Sequence, residues 1–308
     1  MKTLYDLMEQ YLAWRRSLKL SCQTIKKNRV SIMIFIRWLE HTYMIVTADQ
    51  ILTEHLHGWQ RHVSTMTTKA GLPVKTRTIN TYNESVRIWF GYMAGLGYIR
   101  RSLVEEIRYV KVPSRLPGSV LTHVQMRKLL AKIPTCDTIG YRDRAMLELL
   151  YSSGIRAGEL LGLDIDHIDF KNRTIMVTGK GNKQRVVPMG RTAERHLQTY
   201  IHAVRPFLLK DRSERALFVN TKGTRFHYRC FLDCVHAHAD RVGFENVTPH
   251  TFRRSCTTEL IRGNANMYHV KELLGHESLD TLKPYTRLTI NDLKKTHEKC
   301  HPREKDRD

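Results

Sequence analysis

The sequence predicts a mainly helical protein of two domains, the first all-helical and the second mostly helical with a small antiparallel β-sheet. Three observations predict it. Apolar residues recur at helical spacing through residues 1–110 with no convincing strand. Residues 111–119 hold two prolines, a glycine and two serines, a composition that does not continue a helix. Strand character is confined to Arg173–Met189, where it is interrupted by glycines.

Taken in order, Leu4, Leu7, Met8, Tyr11 and Leu12 mark a first helix, and Val30, Ile34, Ile36, Trp38 and Leu39 a second. Val86, Trp89, Phe90, Met93 and Leu96 mark a further one, closed by the Gly95/Gly97 punctuation. Residues 1–110 thus form the first domain, 111–119 a linker and 120–308 the second domain. Within the second, Thr122-His-Val-Gln offers a helix start, and Ile139 to Leu150 a longer, partly apolar helix leading to Gly154. Arg173–Met189 reads as two short strands around a glycine-containing hairpin, and the remainder returns mostly to helix. No internal repeat or low-complexity tract is present.

At 308 residues, 41% of them hydrophobic, the chain is long enough to bury a core in each domain, which excludes wholesale disorder. The net charge of +21 favours a polyanionic partner, of which duplex DNA is the commonest large one and RNA the rival. Basic clusters at Lys26, Lys27 and Arg29, at Lys75 and Arg77, and at Arg100 and Arg101 each read singly as a solvated helix face; their number favours DNA contact, with Lys26, Lys27, Lys75 and Arg77 as candidates. The six cysteines (Cys22, Cys136, Cys230, Cys234, Cys256 and Cys300) lack framework spacing and read as free thiols in a reducing compartment. No run approaches the ~20 apolar residues of a membrane span, and the N-terminus has no signal-peptide pattern. The expected location is cytoplasmic and nucleoid-associated, with no membrane partner.

The second domain carries an ordered set of polar motifs. Arg156 lies in Gly-Ile-Arg-Ala-Gly-Glu-Leu, Lys180 in Thr-Gly-Lys-Gly-Asn-Lys-Gln-Arg, and His250 and Arg253 in Pro-His-Thr-Phe-Arg-Arg. His276 follows Leu-Leu-Gly, and Tyr285 lies in Lys-Pro-Tyr-Thr. Cations to hold a pentacovalent phosphate, an acid for the leaving oxygen and a phenol nucleophile suffice to attack a phosphodiester without metal or other cofactor. A phenol with a pKa of about 10 needs a neighbouring base and a polarised phosphate to react at neutral pH.

These motifs, in this order, resemble the tyrosine recombinase (phage integrase) family, and the two-domain Xer type within it. The resemblance implies that Arg156 and Arg253 clamp the scissile phosphate and Lys180 protonates the leaving 5′ oxygen. It also implies that His250 helps deprotonate Tyr285, that His276 hydrogen-bonds the phosphate, and that Glu159 orients the site from behind. Lys183 and Arg185, the rivals of Lys180, are read as contacts to the phosphate backbone. Pro284, unusual before the nucleophile, pushes Lys283 towards extended backbone. The first domain becomes a core-binding (SAM-like) DNA-binding domain, the second the catalytic domain, and the working form a homotetramer on two DNA sites, with a related recombinase or accessory proteins as further partners. The expected activity is site-specific recombination through a 3′-phosphotyrosyl intermediate and a Holliday junction. The chain starts at the helical domain, so the arm-site module of larger phage integrases is not expected. Chromosome-dimer resolution, integration and the movement of plasmids or transposons all use this chemistry with different DNA sites.

Three alternatives stand beside this reading: a type IB topoisomerase, a non-catalytic DNA-binding relative and an RNA-binding protein. Two further patterns compete locally. Cys230, Cys234, His236 and His238 have spacing that suits zinc, and His236-Ala-His238 is similar to an element of rolling-circle nicking enzymes. The interleaved Phe231 and Val235 instead fit an amphipathic helix with no metal.

Overall fold

Local signals start and stop the helices of the first unit. Thr3 Oγ1 accepts from the Asp6 amide while the Asp6 carboxylate accepts from the Thr3 amide, a reciprocal cap that opens α1 (Leu4–Ser17). Ser21 caps α2 (Cys22–Tyr43) in one direction, its Oγ accepting from the Thr24 amide. There follow α3 (Thr53–Thr65), α4 (Thr76–Gly95) and a short α5 (Ser102–Glu106). The computed structural model describes residues 2–68, 70–112 and 120–275, apart from the Lys180 side chain. The chain divides into two compact units, Met1–Ser114 and Arg115–Asp308.

The first unit closes over an aromatic core. Phe35 meets Trp59 edge-on at 5.1 Å and Phe90 at 5.6 Å, and Trp89 packs beside them; all four rings are fully buried. Burying side chains of this size contributes roughly 1.5–3 kcal/mol each. The inward face of α2 is Ile25, Ile32, Phe35, Ile36 and Leu39, which corrects the face expected from sequence: Val30 is exposed and Ile34 only partly covered. Among the described residues this unit holds isolated bridges and no strand.

In the second unit α6 (His123–Ala131) starts at the Thr122/Gln125 capping box. The central element is α7 (Thr138–Ser153), covered on nearly every side, with α12 (Pro249–Arg262), α9 (Arg191–Thr199) and α6 packed on it. Gly154 ends α7 at φ 62°, a left-handed conformation, where a Cβ would come within 3.0 Å of Leu274 Cδ2 and 3.1 Å of Cys256 Sγ. Glycine alone accepts both constraints. The chain then turns into α8 (Ala157–Leu161).

The sheet is antiparallel, ordered β1 (Ile168–Asp169), β2 (Thr174–Thr178), β3 (Gln184–Pro188). β2 and β3 are the expected hairpin, with Val177 opposite Arg185; β1, two residues long, is too short to show a period and was not anticipated. A π-helical turn (Tyr200–Val204) joins α9 to α10 (Arg205–Leu208), followed by α11 (Tyr228–Asp240), α12 and α13 (Met267–Leu274). No helix among the described residues is long and apolar enough to cross a membrane.

Candidate active site

Three arginines from three elements converge on the carbonyl end of α13. Arg185 on β3 donates from Nε to Leu273 O at 3.2 Å. Arg253 on α12 donates from Nη2 to Leu274 O at 2.7 Å, and Arg156, just before α8, from Nη2 to Gly275 O at 2.9 Å. The last carbonyls of a helix have no partner within it and carry the negative end of its dipole, so guanidinium groups suit them. Gly275 lies at φ 63°, and a Cβ there would stand 2.9 Å from Arg185 Cζ.

Glu159 joins two of the three cations. Its Oε1 accepts from Arg156 Nη1 and Arg185 Nη1, and its Oε2 from the Arg156 amide and Arg185 Nη2, all at 2.9 Å. Burial pushes the Glu159 carboxyl up, but the hydrogen bonds from Arg185 and Arg156 outweigh it and hold the group below its ordinary value. Arg253 is buried and uses its other terminal nitrogen on Gly154 O at 2.8 Å. Burial, with the neighbouring Arg156 charge, lowers it to about 10, so it remains a cation at neutral pH.

His250 stands at the start of α12, exposed, while Arg253 three residues on faces inward. Partial desolvation first, then the charges of Arg253, Arg254 and Arg156, lowers the imidazole below its ordinary value. It is therefore neutral at pH 7, with a lone pair available to accept a proton. The structure thus brings Arg156, Arg253, Glu159 and His250 into one electrostatic neighbourhood. The backbone of Lys180 lies in the turn between β2 and β3, where Gly181 (φ 74°) and Asn182 (φ 59°) reverse the chain. His276 and Tyr285 lie outside the described residues.

Of the six positions expected on the DNA backbone, Lys26, Lys75, Arg77 and Lys183 are exposed. Lys27 is exposed too but pairs with Glu84 at 3.1 Å, and its neighbour Arg29 pairs with Glu9. Arg185 departs from the expectation: it is turned inward and its fork is taken by Glu159. The sequence reading missed this role and that of the α13 carbonyls. Two signals were available: strand alternation puts Arg185 on the face of buried Val187, and Leu-Leu-Gly is a helix C-terminus.

The Cys/His segment is helical, as its apolar spacing requires, and α11 splits the four residues between two faces. Cys230 and His236 are exposed, whereas Cys234 and His238 turn towards Asp143 on α7. His238 Nε2 lies 2.9 Å from Asp143 Oδ2, and Arg142 donates to Asp143 Oδ1 from Nε (2.9 Å) and Nη2 (2.7 Å). The Asp143, Cys234 and His238 donor atoms lie within 4.8 Å of one another, but Arg142 already supplies the positive charge that a cation would bring. Burial, reinforced by Asp143, pushes the Cys234 thiol well up, away from the thiolate that binds metal.

With this geometry in hand, the chain compares closely with known proteins. The solved Tn1549 transposon integrase, in complex with a circular intermediate DNA, aligns over 97% of this chain and 99% of its own with a TM-score of 0.74 at 18% identity. XerH site-specific recombinase bound to difH substrate aligns over 94% and 82% with a TM-score of 0.70 at 21% identity. The fold is that of the tyrosine recombinases. The Phage integrase family model matches residues 119–291. Tyrosine recombinase XerD of Listeria innocua is 31% identical over 301 residues, 97% of this chain and 99% of that protein. Tyrosine recombinase XerC of Bifidobacterium longum is 45% identical over 169 residues, 53% of this chain, and that match spans about half (48%) of the relative's length. The chain belongs to the phage integrase family, as a tyrosine recombinase of the Xer type.

Proposed function

We propose that this protein is a site-specific recombinase that cleaves and rejoins duplex DNA through a 3′-phosphotyrosyl intermediate. The observation that carries the reading is the convergence of Arg156 and Arg253 on the residues immediately before His276, with Glu159 fixing the first guanidinium and His250 beside them. Arg156 uses one proton on each terminal nitrogen for protein acceptors, which leaves further donors for the non-bridging oxygens of a phosphate.

In the proposed reaction Tyr285 attacks the phosphorus as neutral His250 accepts the phenolic proton. Arg156 and Arg253 stabilise the charge that develops on the phosphoryl oxygens, and His276 hydrogen-bonds it. Lys180, at the hairpin tip, gives a proton to the leaving 5′ oxygen. The phosphodiester becomes a phosphotyrosyl ester of similar energy, so a 5′ hydroxyl from a partner duplex reverses the step without ATP. Such charge stabilisation by side-chain cations asks for no metal. The first unit is the core-binding domain, residues 111–119 the linker, and Lys26, Lys27, Lys75, Arg77 and Lys183 contact backbone phosphates.

Duplex DNA is the partner, and four copies act on two sites through a Holliday junction. Support comes from XerH solved on its difH substrate and from a lambda integrase tetramer bound to a Holliday junction, a structure that aligns over 90% of this chain with a TM-score of 0.67 at 16% identity. The protein then works in the cytoplasm, on the nucleoid.

The test is a covalent trap: the protein, without metal, is mixed with nicked duplexes tiled from the DNA flanking its gene, and SDS-resistant adducts are sought. An adduct made by wild type and not by Tyr285→Phe, which should still bind DNA, is the expected result. Tight duplex binding with no adduct at any site would instead mark a non-catalytic relative. Relaxation of one duplex without recombinant products would mark a topoisomerase.

A further inference from the structure

We propose that Arg185 is a positioning residue of this site, one that acts through Glu159 and the carbonyl end of α13 and not by contact with DNA. The inference rests on the cleavage reading above. Five observations bear on it. Arg185 pairs with Val177 across the hairpin and shares the inward face of β3 with buried Val187. Its side chain is only 17% exposed, against 39% for Arg156. Its two terminal nitrogens fork both oxygens of Glu159, and Nε holds Leu273 O. Two glycines from separate segments flank the guanidinium: a Cβ at Gly275 would lie 2.9 Å from its Cζ, and one at Gly179 would lie 3.5 Å from Nη1. The same carboxylate that Arg185 forks also receives the side chain and the amide of Arg156.

The physical role follows from charge. Glu159 is needed to fix the plane of Arg156, yet a lone carboxylate against Arg156 would cancel the positive charge that a phosphate requires. Arg185 supplies a second cation for the same carboxylate. The guanidinium of Arg156 is thereby held in place while the cluster keeps net positive charge, since two arginines share the one glutamate and Arg253 stands beside them on the α13 carbonyls. The bond to Leu273 O adds a mechanical part. It ties β3 to the helix end that precedes His276, alongside the bonds from Arg253 and Arg156 to the next two carbonyls.

The experiment compares wild type, Arg185→Gln, Arg185→Lys, Glu159→Gln and the double Glu159→Gln/Arg185→Gln. Each is assayed for the rate of SDS-resistant adduct on a nicked duplex at saturating protein and for duplex affinity across a salt series. Arg185→Gln should cleave about 10- to 100-fold more slowly, the scale of a small misplacement of a reacting group. Its affinity should stay within about two-fold and its salt slope should not change, whereas loss of a phosphate contact lowers that slope by about one. Arg185→Lys, which keeps the charge without the fork, should fall between and carries the test if Arg185→Gln fails to fold. The double variant should be little worse than its slower parent, because both lesions act through one carboxylate.

Wild-type cleavage rates in both Arg185 variants would overturn the inference. So would a drop in affinity with a shallower salt slope, which would make Arg185 an ordinary phosphate contact, or independent, multiplying effects of Glu159→Gln and Arg185→Gln. Absence of any adduct with wild type would overturn the cleavage reading and this inference with it, whereas wild-type adduct with unaffected Arg185 variants overturns this inference alone.

Discussion

Substituting Glu159 by glutamine tests the ion cluster through stability, independently of catalysis. The Glu159 side chain is 4% exposed and accepts four hydrogen bonds, two on each oxygen. Glutamine keeps one acceptor oxygen and sets an amide NH2 against the other two donors, so two bonds are lost and two guanidinium groups lose their counter-charge. Breaking a buried pair in this way costs about 3–5 kcal/mol. The low end corresponds to a fall in Tm of about 6–12 °C for a unit of this size. Because the folded carboxyl titrates below its ordinary 4.5, the stabilisation is fully present above pH 4.5 and is lost as pH falls through the folded value. Thermal unfolding of wild type and Glu159→Gln, followed by fluorimetry from pH 7.5 downward, should show the full gap at neutral pH and its closure below pH 4.5. A Tm within about 2 °C of wild type at pH 7.5 would refute the reasoning, as would a gap that persists unchanged in acid.

Three other substitutions probe the same region. Gly154→Ala forces alanine into left-handed backbone against Leu274 and Cys256, and should cost about 2–4 kcal/mol, read from the denaturant midpoint. Arg253→Ala removes a charged contact and two carbonyl caps, and should lower the adduct rate at least ~100-fold; a near-normal rate would remove it from the phosphate clamp. His250 is neutral at pH 7 with its pKa lowered, so cleavage should hold steady down to about pH 6.5 and decline as pH falls through the folded pKa. Loss of that acid limb in His250→Ala, with a slower plateau, is the expected signature in the pH–rate profile.

The fold was legible wherever a pattern repeats. The α1 face from Leu4 to Leu12, the α4 face from Val86 to Met93 and the β2–β3 hairpin are each spelled by several residues at one period, so no single exception hides them. The α2 face was misjudged because its apolar residues run nearly continuously from Val30 to Leu39 and do not single out one stripe; packing against α4 selected Ile32, Phe35 and Ile36. At the site, Arg156 and His250 could be named as candidates because their chemistry is local to a motif. Arg185 could not be read from charge alone, because an arginine on a surface strand and one folded over a glutamate have the same formula. What decides between them is Glu159, 26 residues away, and a helix end 88 residues away, which only the tertiary structure brings to it.

The clasp of three arginines on Leu273, Leu274 and Gly275 bears on how relatives of this chain drift over evolutionary time. Arg156 and Arg253 each close backbone groups that would otherwise be stranded, so selection for a folded protein preserves them even in a lineage that no longer cuts DNA. In a descendant that has lost the tyrosine, retention of these arginines alone is therefore no testimony of activity. Tyr285, whose proposed task is purely chemical, is the position at which a lapsed recombinase would first differ from a working one.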